Sequence, residues 1–302
     1  MGPTAAGKTP LAVEIVKRLH CEIISVDSAL IYRGMDIGTA KPSPDVLKIA
    51  PHRLINFLDP SEHYSAGQFR KDALHEIEDI IAHHHIPLLV GGTMMYFRAL
   101  QKGLATLPPR DTKLRAALSG RAEREGWEVL HQALATVDPE AGKRIYPRDT
   151  QRIQRALEVF MLTGKTISEW QSQDTSPLSK YRVINIAITP SDRAILHTRI
   201  AQRFEQMLKE GFVEEVRHLY ERGDLTPDLP SIRSVGYRQA WDYLSGKVSY
   251  EEMCEKAVAA TRQLAKRQLT WLRSWPELKW YDSADETLFA KVILDLKQAV
   301  VQ

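Results

Sequence analysis

Apolar residues recur along the chain at two spacings, and the alternation between them predicts an α/β fold. Short apolar runs that end in a polar residue or a glycine are typical of buried parallel strands. They occur at 22–28, 87–93 and 181–189, with a last short strand at 279–281. Apolar residues three and four apart predict helices directly after the first nine residues, over 65–84, 94–100, 192–222, 235–245 and 249–275, and after 283. We therefore expect a parallel sheet that is flanked by helices.

One segment, 111 to about 173, differs from the rest because it is polar, highly charged and almost entirely helical in period. A turn-rich stretch at 106–111 precedes it, and Pro177 follows it. We predict a helical insertion domain at 111–178 between the two parts of a core domain, 1–110 and 179–302. Arg152 and Arg155 recur at helical spacing inside the insertion, where a solvated helix face is the ordinary explanation for such a run.

The first nine residues carry the most specific motif. Residues 2–9 read GPTAAGKT and match G-x-x-x-x-G-K-[ST] at every fixed position. In this motif backbone N–H groups and the lysine, here Lys8, surround phosphate oxygens, and the hydroxyl of Thr9 can hold a divalent metal. We predict a phosphate site in a P-loop NTPase-like fold. Because such a loop ordinarily follows a buried strand, we also expect the native protein to carry apolar residues upstream of Met1.

Two polar residues follow predicted strands, at the edge of a parallel sheet where ligands ordinarily bind. Asp27 follows the first strand, and Thr93 closes a Gly-Gly-Thr turn after the second. Each has a plain structural alternative, since Asp27 can cap a turn and Thr93 can be the N-cap of the next helix. The connection at 29–44 is long for a compact domain, which favours a functional or mobile segment.

The composition excludes several classes of protein without indicating an activity. The chain has 302 residues, of which 43% are hydrophobic and 26% charged, as in ordinary globular proteins, and no apolar run reaches the length of a membrane span. With only Cys21 and Cys254, we expect a reducing, cytoplasmic compartment and no thiolate zinc site. The three histidines at 83–85 could suggest a metal tract, but a solvated helix end is the favoured interpretation.

A net charge of +3 hides one strongly basic segment. No acid occurs between Lys256 and Pro276, and the same stretch contains two tryptophans and five cations: Lys256, Arg262, Lys266, Arg267 and Arg273. A basic stripe with aromatic residues is typical of a surface that binds a phosphate backbone, whereas a solvated face usually mixes both signs. We therefore predict an anionic partner at this helix.

Taken together, these motifs closely resemble those of bacterial tRNA dimethylallyltransferases, also called tRNA isopentenyl transferases. The matching stretches occur in the family's order over nearly the whole chain, at 2–9, 25–32, 36–42, 90–93, 152–158, 234–238 and 261–268. The resemblance implies transfer of a dimethylallyl group from its diphosphate to N6 of the adenosine 3′ of the tRNA anticodon, with Mg²⁺. The expected partners are the anticodon stem-loop of tRNA and dimethylallyl diphosphate. We expect a cytoplasmic monomer that contacts no membrane.

The resemblance also implies roles for individual residues. Asp27 would be the general base and Thr93 a second catalytic residue. Thr9 would hold the metal. Spacing alone does not choose between Arg199 and Arg203 on the long helix, but the resemblance selects Arg203. The donor diphosphate would contact Gly2, Pro3, Thr4, Ala5, Ala6, Gly7, Lys8, Thr9 and Arg203. Contacts with tRNA would come from Asp27, Ser28, Ala29, Leu30, Arg115, Gln151, Arg152, Ile153, Gln154, Arg155, Arg233, Ser234, Val235, Gly236, Tyr237, Arg238, Arg262, Lys266 and Arg267.

Two other functional classes fit parts of the sequence. A small-molecule kinase would use the same loop for ATP and the insertion as a lid, but it would not need the basic helix. A non-catalytic RNA-binding protein would need the basic helix, but it would not need Asp27, Thr93 and the phosphate loop together.

Overall fold

The computed structural model describes residues 1–105, 107–172 and 176–301, which form two compact units. One unit contains Met1–Phe97 and Arg182–Gln302, and the other contains Arg98–Tyr181. The predicted insertion at 111–178 falls inside the second unit, and its role as a separate domain remains a prediction. Thr106 and residues 173–175, which the sequence pattern places at its joints, lie outside the described residues. No helix in the described ranges is both long and apolar enough to cross a membrane.

The strands belong to two parallel sheets in the first unit. β1 (Cys21–Val26) lies between β2 (His52–Arg53) and β3 (Ile86–Gly91), while β4 (Asn185–Thr189) pairs with β5 (Leu278–Asp282). Val26 at the end of β1 is opposite Gly91 at the end of β3, so the residues that follow both strands lie at one edge. The predicted α/β fold with a parallel sheet is confirmed. The sequence pattern missed β2, because two residues are too few to show a period.

Two expectations about β4 differ from the structure. The strand predicted at 181–189 begins only at Asn185, and it pairs with β5 rather than with the sheet of β1 and β3. Beside β4 lies the backbone of Met1, whose nitrogen donates to the carbonyl of Ile186 at 2.7 Å and whose carbonyl accepts from the N–H of Ile188 at 3.1 Å. The expected apolar residues upstream of Met1 remain a prediction.

Helices account for most of the other residues that the structure describes. In order they are α1 (Lys8–Arg18), α2 (Pro44–Ile49), α3 (Ala66–Ala82), α4 (Met94–Gln101), α5 (Thr112–Glu125), α6 (Trp127–Val137), α7 (Pro139–Arg144), α8 (Thr150–Thr163), α9 (Ile167–Ser172), α10 (Arg193–Lys209), α11 (Phe212–Glu221), α12 (Tyr237–Leu244), α13 (Tyr250–Arg273) and α14 (Leu288–Val301). Capping boxes at Ser65 and Ser249 begin α3 and α13 by satisfying backbone N–H groups that have no partner within the helix.

The single long helix predicted at 192–222 is wrong, because the structure contains two helices there. α10 ends at Lys209, and Gly211, with a φ of 97°, begins α11. Glycine adopts this left-handed conformation without the steric penalty that a side chain imposes, so the chain can change direction at this position. The apolar period continues across the break, which is why the sequence pattern did not reveal it.

The first unit buries α1 against both sheets. Leu11 and Ile15 pack with Cys21 and Ile188, while Ala12 packs with Ile23 of β1. A larger cluster, which includes Phe212 and Tyr237, buries the start of α11 and α12 against the loop at 31–35. These contacts bring the first turn of α1 to the same edge of the sheet as the ends of β1 and β3.

The second unit has its own apolar core between α5, α6, α7, α8 and α9. Leu130, Leu134 and Ile153 are each at most 1% exposed within it. Buried apolar side chains of this kind supply about 25 cal/mol per Å² of area removed from water, which is the main stabilisation of a helical unit. The helical content predicted for 111–173 is confirmed as far as Ser172.

The three histidines at 83–85 end α3, in agreement with their interpretation as a helix terminus. His83 is the C-cap, and its Nδ1 lies 2.8 Å from the carbonyl oxygen of Asp79. His85 Nδ1 lies 2.7 Å from a carboxylate oxygen of Glu22 on β1. These contacts give the two histidines structural partners.

Candidate active site

Residues 2–7 form a loop that leads directly into α1, and Lys8 and Thr9 belong to the first turn of that helix. Gly7 is the N-cap with a φ of 85°, and the helix begins at Lys8. Glycine has no side chain to cap the helix, so backbone N–H groups of the first turn and the positive end of the helix face the loop. Such a terminus favours an anion, and phosphates bind there in many α/β proteins.

Two cations lie against this loop. Lys8 Nζ donates to the carbonyl oxygen of Pro3 at 2.7 Å, and Arg203 Nη2 on α10 donates to Thr4 Oγ1 at 2.9 Å. Burial lowers the pKa of Lys8 to about 8, an effect that the charge of Arg203 reinforces and that of Asp27 opposes. Burial also lowers the pKa of Arg203, again opposed by Asp27. Because both side chains have given up water for neutral partners, an incoming polyanion would stabilise their charges.

Asp27 follows β1, and one of its carboxylate oxygens is held by the backbone. Oδ1 accepts hydrogen bonds from the N–H groups of Ala29 at 2.9 Å and Leu30 at 3.4 Å. The second oxygen, Oδ2, has no hydrogen-bond partner among the described residues. The turn cap that the sequence left open as an alternative is therefore present, yet it occupies only one of the two oxygens.

Thr93 joins the ends of β1 and β3. Its hydroxyl accepts a hydrogen bond from the backbone N–H of Ser28 at 3.0 Å, and its own N–H donates to the carbonyl of Val26 at 3.2 Å. This pair of bonds fixes the segment that carries Asp27 relative to the Gly-Gly-Thr turn.

Gln268 on α13 connects the phosphate loop to the same turn. Its side-chain oxygen accepts from the N–H of Thr4 at 2.9 Å, and its side-chain nitrogen donates to the carbonyl of Gly92 at 2.9 Å. A Cβ at position 92 would lie 2.5 Å from the Gln268 nitrogen, so glycine is required for this approach. The sequence does not single out Gln268, because a glutamine on a basic helix carries no signal of a bridging role.

These elements surround one cavity of about 600 Å³ in the first unit. Many of the predicted site residues line it. They include Thr4, Lys8, Thr9, Asp27, Ser28, Ala29, Leu30, Thr93, Arg203, Arg233, Ser234, Val235, Gly236, Tyr237 and Arg267. Residues from distant parts of the chain thus meet at the carboxyl edge of the first sheet, where α/β proteins bind their ligands.

Other predicted residues of the first unit do not line this cavity. Arg238, Arg262 and Lys266 are absent from its lining, whereas Arg267, Gln268 and Trp271 of the same helix α13 belong to it. The basic helix therefore presents its cations in two directions rather than as one continuous stripe.

Tyr237 is buried at the cavity wall, and its predicted contact with tRNA remains a prediction. The residue is 0% exposed, and its hydroxyl donates to Glu215 at 2.5 Å. Burial and the charge of Glu215 raise the pKa of Tyr237 well above its usual value. Glu215 also accepts three backbone N–H bonds from residues 36–38, at 2.7 to 3.0 Å. Tyr237 and Glu215 thus fix this loop, and its positions 38–40 line the cavity. Nothing in the sequence indicates that role.

The predicted residues of the second unit have several kinds of environment. Arg155 Nη1 lies 2.8 Å from the buried carboxylate of Glu158 and Arg115 Nε lies 3.6 Å from it, so both arginines serve an internal ion network. The side chain of Ile153 is 0% exposed and packs in the core of the unit, while the predicted contact of this stretch with tRNA remains a prediction. Gln154 donates to the carbonyl of Arg115 at 3.0 Å. In contrast, Gln151 and Arg152 are exposed.

The donors around the cavity fit a magnesium ion better than a softer metal. Thr9 and Asp27 offer a hydroxyl and a carboxylate, which are hard oxygen ligands, at the loop that would bind phosphate. Within the described ranges no group of three or more histidine, cysteine, aspartate or glutamate side chains could form an all-protein metal site. Mg²⁺ ordinarily needs no such site, because substrate phosphates and water complete its shell.

A phosphate loop, two desolvated cations and a carboxylate with one oxygen unpaired among the described residues surround one cavity, a combination that fits an enzyme for a phosphorylated substrate. Comparison with known sequences identifies the family to which this enzyme belongs. The family model described as IPP transferase matches residues 30–275. The chain belongs to this family. Two relatives named tRNA dimethylallyltransferase, from Coxiella burnetii strains CbuG_Q212 and CbuK_Q154, are each 54% identical over 297 residues, which cover 98% of this chain and 99% of the relative.

Solved structures agree with this assignment. The full-length tRNA isopentenylpyrophosphate transferase from Bacillus halodurans is 37% identical with a TM-score of 0.72, and the match covers 99% of this chain and 93% of that protein. A eukaryotic dimethylallyltransferase that acts on tRNA has a TM-score of 0.85 at 25% identity, over 99% of this chain and 78% of that protein. The recognition made from the sequence motifs is confirmed.

Proposed function

We propose that this protein is a tRNA dimethylallyltransferase that transfers a dimethylallyl group from dimethylallyl diphosphate to N6 of the adenosine 3′ of the anticodon. The observation that carries the proposal is that Asp27, Lys8 and Arg203 line one cavity. Asp27 can therefore act as a base on the incoming amine, while Lys8 and Arg203 stabilise the departing diphosphate, in the bond change at one carbon.

The donor half of the reaction depends on the phosphate loop. As the bond between the allylic carbon and the diphosphate oxygen breaks, negative charge grows on the diphosphate, and Lys8 and Arg203 stabilise that charge. Thr9 would hold Mg²⁺ together with the diphosphate oxygens, and the ion would add positive charge there when bound. The cavity also has to exclude water, because the allylic carbon becomes cation-like.

The acceptor half depends on Asp27. An adenine N6 amine is a weak nucleophile, since its lone pair is delocalised into the ring. Oδ2 of Asp27 orients the amine and takes one of its protons as the new C–N bond forms, while the electron pair of the broken C–O bond leaves with the diphosphate. A positioned base of this kind contributes about 10²–10⁴-fold to the rate.

The adenosine must leave the anticodon stack to reach the cavity, at a cost of a few kcal/mol. Unpaired loop bases are splayed out more readily than paired ones. We propose that Ser28, Arg233 and Arg267 of the cavity wall contact the nucleotide. Arg238, Arg262 and Lys266 would contact the phosphate backbone, and the exposed Gln151 and Arg152 of the second unit would contact the stem.

The two free cysteines support a reducing compartment, and we propose a cytoplasmic enzyme. We further propose that it acts as a monomer, which sedimentation at several concentrations can test.

A transfer assay tests the proposed function. The protein is incubated with radiolabelled dimethylallyl diphosphate and unmodified tRNA, and in parallel with labelled ATP and a panel of small alcohols. We expect label in tRNA and none in the alcohols. Phosphorylated alcohol without labelled tRNA would identify a kinase instead. RNA binding without either product would identify a non-catalytic RNA-binding protein.

A further inference from the structure

Ser25 on β1 has a buried hydroxyl without a partner. The residue is 1% exposed, and its Oγ makes no hydrogen bond among the described residues, yet Ser25 lines the cavity. Buried polar groups are nearly always paired, so an unpaired hydroxyl beside a ligand cavity requires an explanation. None of the steps described above uses this group.

The packing of β1 on α1 indicates what the hydroxyl faces. Ile23, two residues before Ser25 on the same face of the strand, packs against Ala12 and Val13 of α1. Only two residues connect the end of α1 to β1, so helix and strand run in opposite directions. Two strand residues advance the chain by about 6.6 Å, which equals about four residues of helix.

Counting four residues back from Ala12 and Val13 leads to Lys8 and Thr9. Ser25 therefore faces the first turn of α1, and all three residues line the same cavity. Lys8 already carries the positive charge that a phosphate oxygen needs. The oxygen of Ser25 adds a further hard donor beside that of Thr9, and Mg²⁺ keeps several waters that such groups can bind.

We propose that the Ser25 hydroxyl binds a water in the coordination shell of the divalent cation that Thr9 holds, as a positioning residue of the metal site. This inference rests on the proposed function, because it takes the cavity to bind a diphosphate together with a cation. Outer-shell groups of this kind ordinarily change metal affinity by about 10–100-fold when they are removed.

The test compares binding of inorganic diphosphate to the parent, Ser25→Ala and Ser25→Thr by calorimetry, in EDTA and over a Mg²⁺ series without tRNA. In EDTA, Ser25→Ala should bind diphosphate as tightly as the parent does. The gain in diphosphate affinity from EDTA to Mg²⁺, here called the Mg²⁺ enhancement, should be about 10–100-fold smaller in Ser25→Ala than in the parent. Ser25→Thr, which keeps a hydroxyl, should recover most of it. Electron paramagnetic resonance of Mn²⁺, added to the diphosphate complex of each protein, should show a cation affinity that is high in the parent and in Ser25→Thr and lower in Ser25→Ala.

In the binding measurements, two results for Ser25→Ala would overturn the inference. Either Ser25→Ala keeps the full Mg²⁺ enhancement, or it loses diphosphate affinity equally in EDTA, which would mean that the hydroxyl binds phosphate directly. A parent without any Mg²⁺ enhancement would overturn it as well. A parent that binds diphosphate with Mg²⁺ but transfers no dimethylallyl group would refute the proposed function and leave Ser25 in its role.

A matched control separates this role from folding. Ser231 is also buried, at 0% exposure, but its Oγ donates to the carbonyl of Pro60 at 2.6 Å. Ser231→Ala removes a satisfied hydrogen bond, so it should lower the melting temperature and leave the Mg²⁺ enhancement unchanged. Ser25→Ala removes an unpaired hydroxyl, so the ligand-free variant should melt at or above the temperature of the parent. A large drop for Ser25→Ala would indicate a structural role and overturn the proposal.

Discussion

Arg203 reaches from α10 to the phosphate loop and donates a hydrogen bond to the hydroxyl of Thr4 at 2.9 Å. Arg199, one turn earlier on the same helix, instead donates to the hydroxyl and the carbonyl of Ser283, at 3.0 and 3.2 Å. The structure thus separates two arginines that the helical spacing alone does not distinguish. Of the two, Arg203 is the one that contacts the phosphate loop.

The two arginines form a matched pair of variants. We expect Arg203→Met to weaken binding of dimethylallyl diphosphate and to slow transfer by about 10²-fold or more, because its charge faces the departing group. Arg199→Met should leave both quantities near the values of the parent. Calorimetry with a non-reactive donor analogue and single-turnover transfer provide the two measurements. If both variants lose the same donor affinity and transfer rate, the loss in Arg203→Met reflects a change in the folded structure rather than a missing contact with the donor.

Removing the charge of Lys8 should stabilise the ligand-free protein, although it should also abolish donor binding. Its folded pKa, about 8, lies below the ordinary value of 10.5, so the buried charge destabilises the ligand-free protein at neutral pH. We expect Lys8→Met to raise the melting temperature by about 2 °C or more at pH 7 and to abolish measurable donor binding. Lys17→Met, on the exposed face of α1, is the control and should change neither. A lower melting temperature for Lys8→Met would contradict this assignment of the charge.

The same pKa predicts how donor affinity depends on pH. Below about 8, Lys8 is protonated in the ligand-free enzyme, so its titration does not affect affinity. Above that pH the enzyme must recover a proton to bind the anion, and affinity should fall by up to about tenfold per pH unit. Lys8→Met should lack this dependence. Binding of the donor analogue across a pH series on both sides of that pKa tests it, and an affinity that rises above the pKa would exclude the role of Lys8.

Asp27 should affect turnover much more than affinity. We expect Asp27→Asn to lower kcat by about 10²-fold or more with little change in the Kd for tRNA, because a base acts in the transition state. The amide can still accept the N–H bonds of Ala29 and Leu30 through its oxygen, so the local turn should persist. Near-parent rates in single-turnover assays would remove Asp27 from the mechanism.

The basic helix should supply affinity for tRNA. We expect Arg262→Ala with Lys266→Ala to weaken tRNA binding at physiological salt and to reduce the slope of log K against log[salt] by about 1 for each phosphate that the double variant no longer neutralises. Saturating tRNA should restore most of kcat, since neither residue lines the cavity. Lys209→Ala, an exposed lysine paired with Glu205, is the control. A lower melting temperature with an unchanged salt slope would instead indicate that the helix only packs on the core.

The sequence predicts the parts of the site that have local signatures. The fixed spacing of residues 2–9, the acid after β1 and the turn before Thr93 each depend on neighbouring residues, so they are visible without a structure. The apolar period also indicates α3 and α13. It does not reveal the break at Gly211, because the residues on both sides keep the same spacing across the break.

Long-range contacts have no such signature. Gln268 bonds to Thr4 and Gly92, and Glu215 holds the loop at 36–38, all of them far away along the chain. Their side chains are ordinary for exposed helices, and only the folded chain brings them to their partners. The same limit explains why the sequence does not reveal that Arg115 and Arg155, which the resemblance assigns to tRNA contacts, lie beside the buried Glu158.

The position of the new bond in tRNA tests the proposed activity most directly. Labelled dimethylallyl diphosphate and an unmodified tRNA transcript are incubated with the protein, and the product is digested to nucleosides and fragments for mass spectrometry. We predict one dimethylallyl group, on N6 of the adenosine 3′ of the anticodon, and none in a transcript that carries guanosine there. Label at another nucleoside, or equal labelling of the guanosine transcript, would contradict the proposed activity.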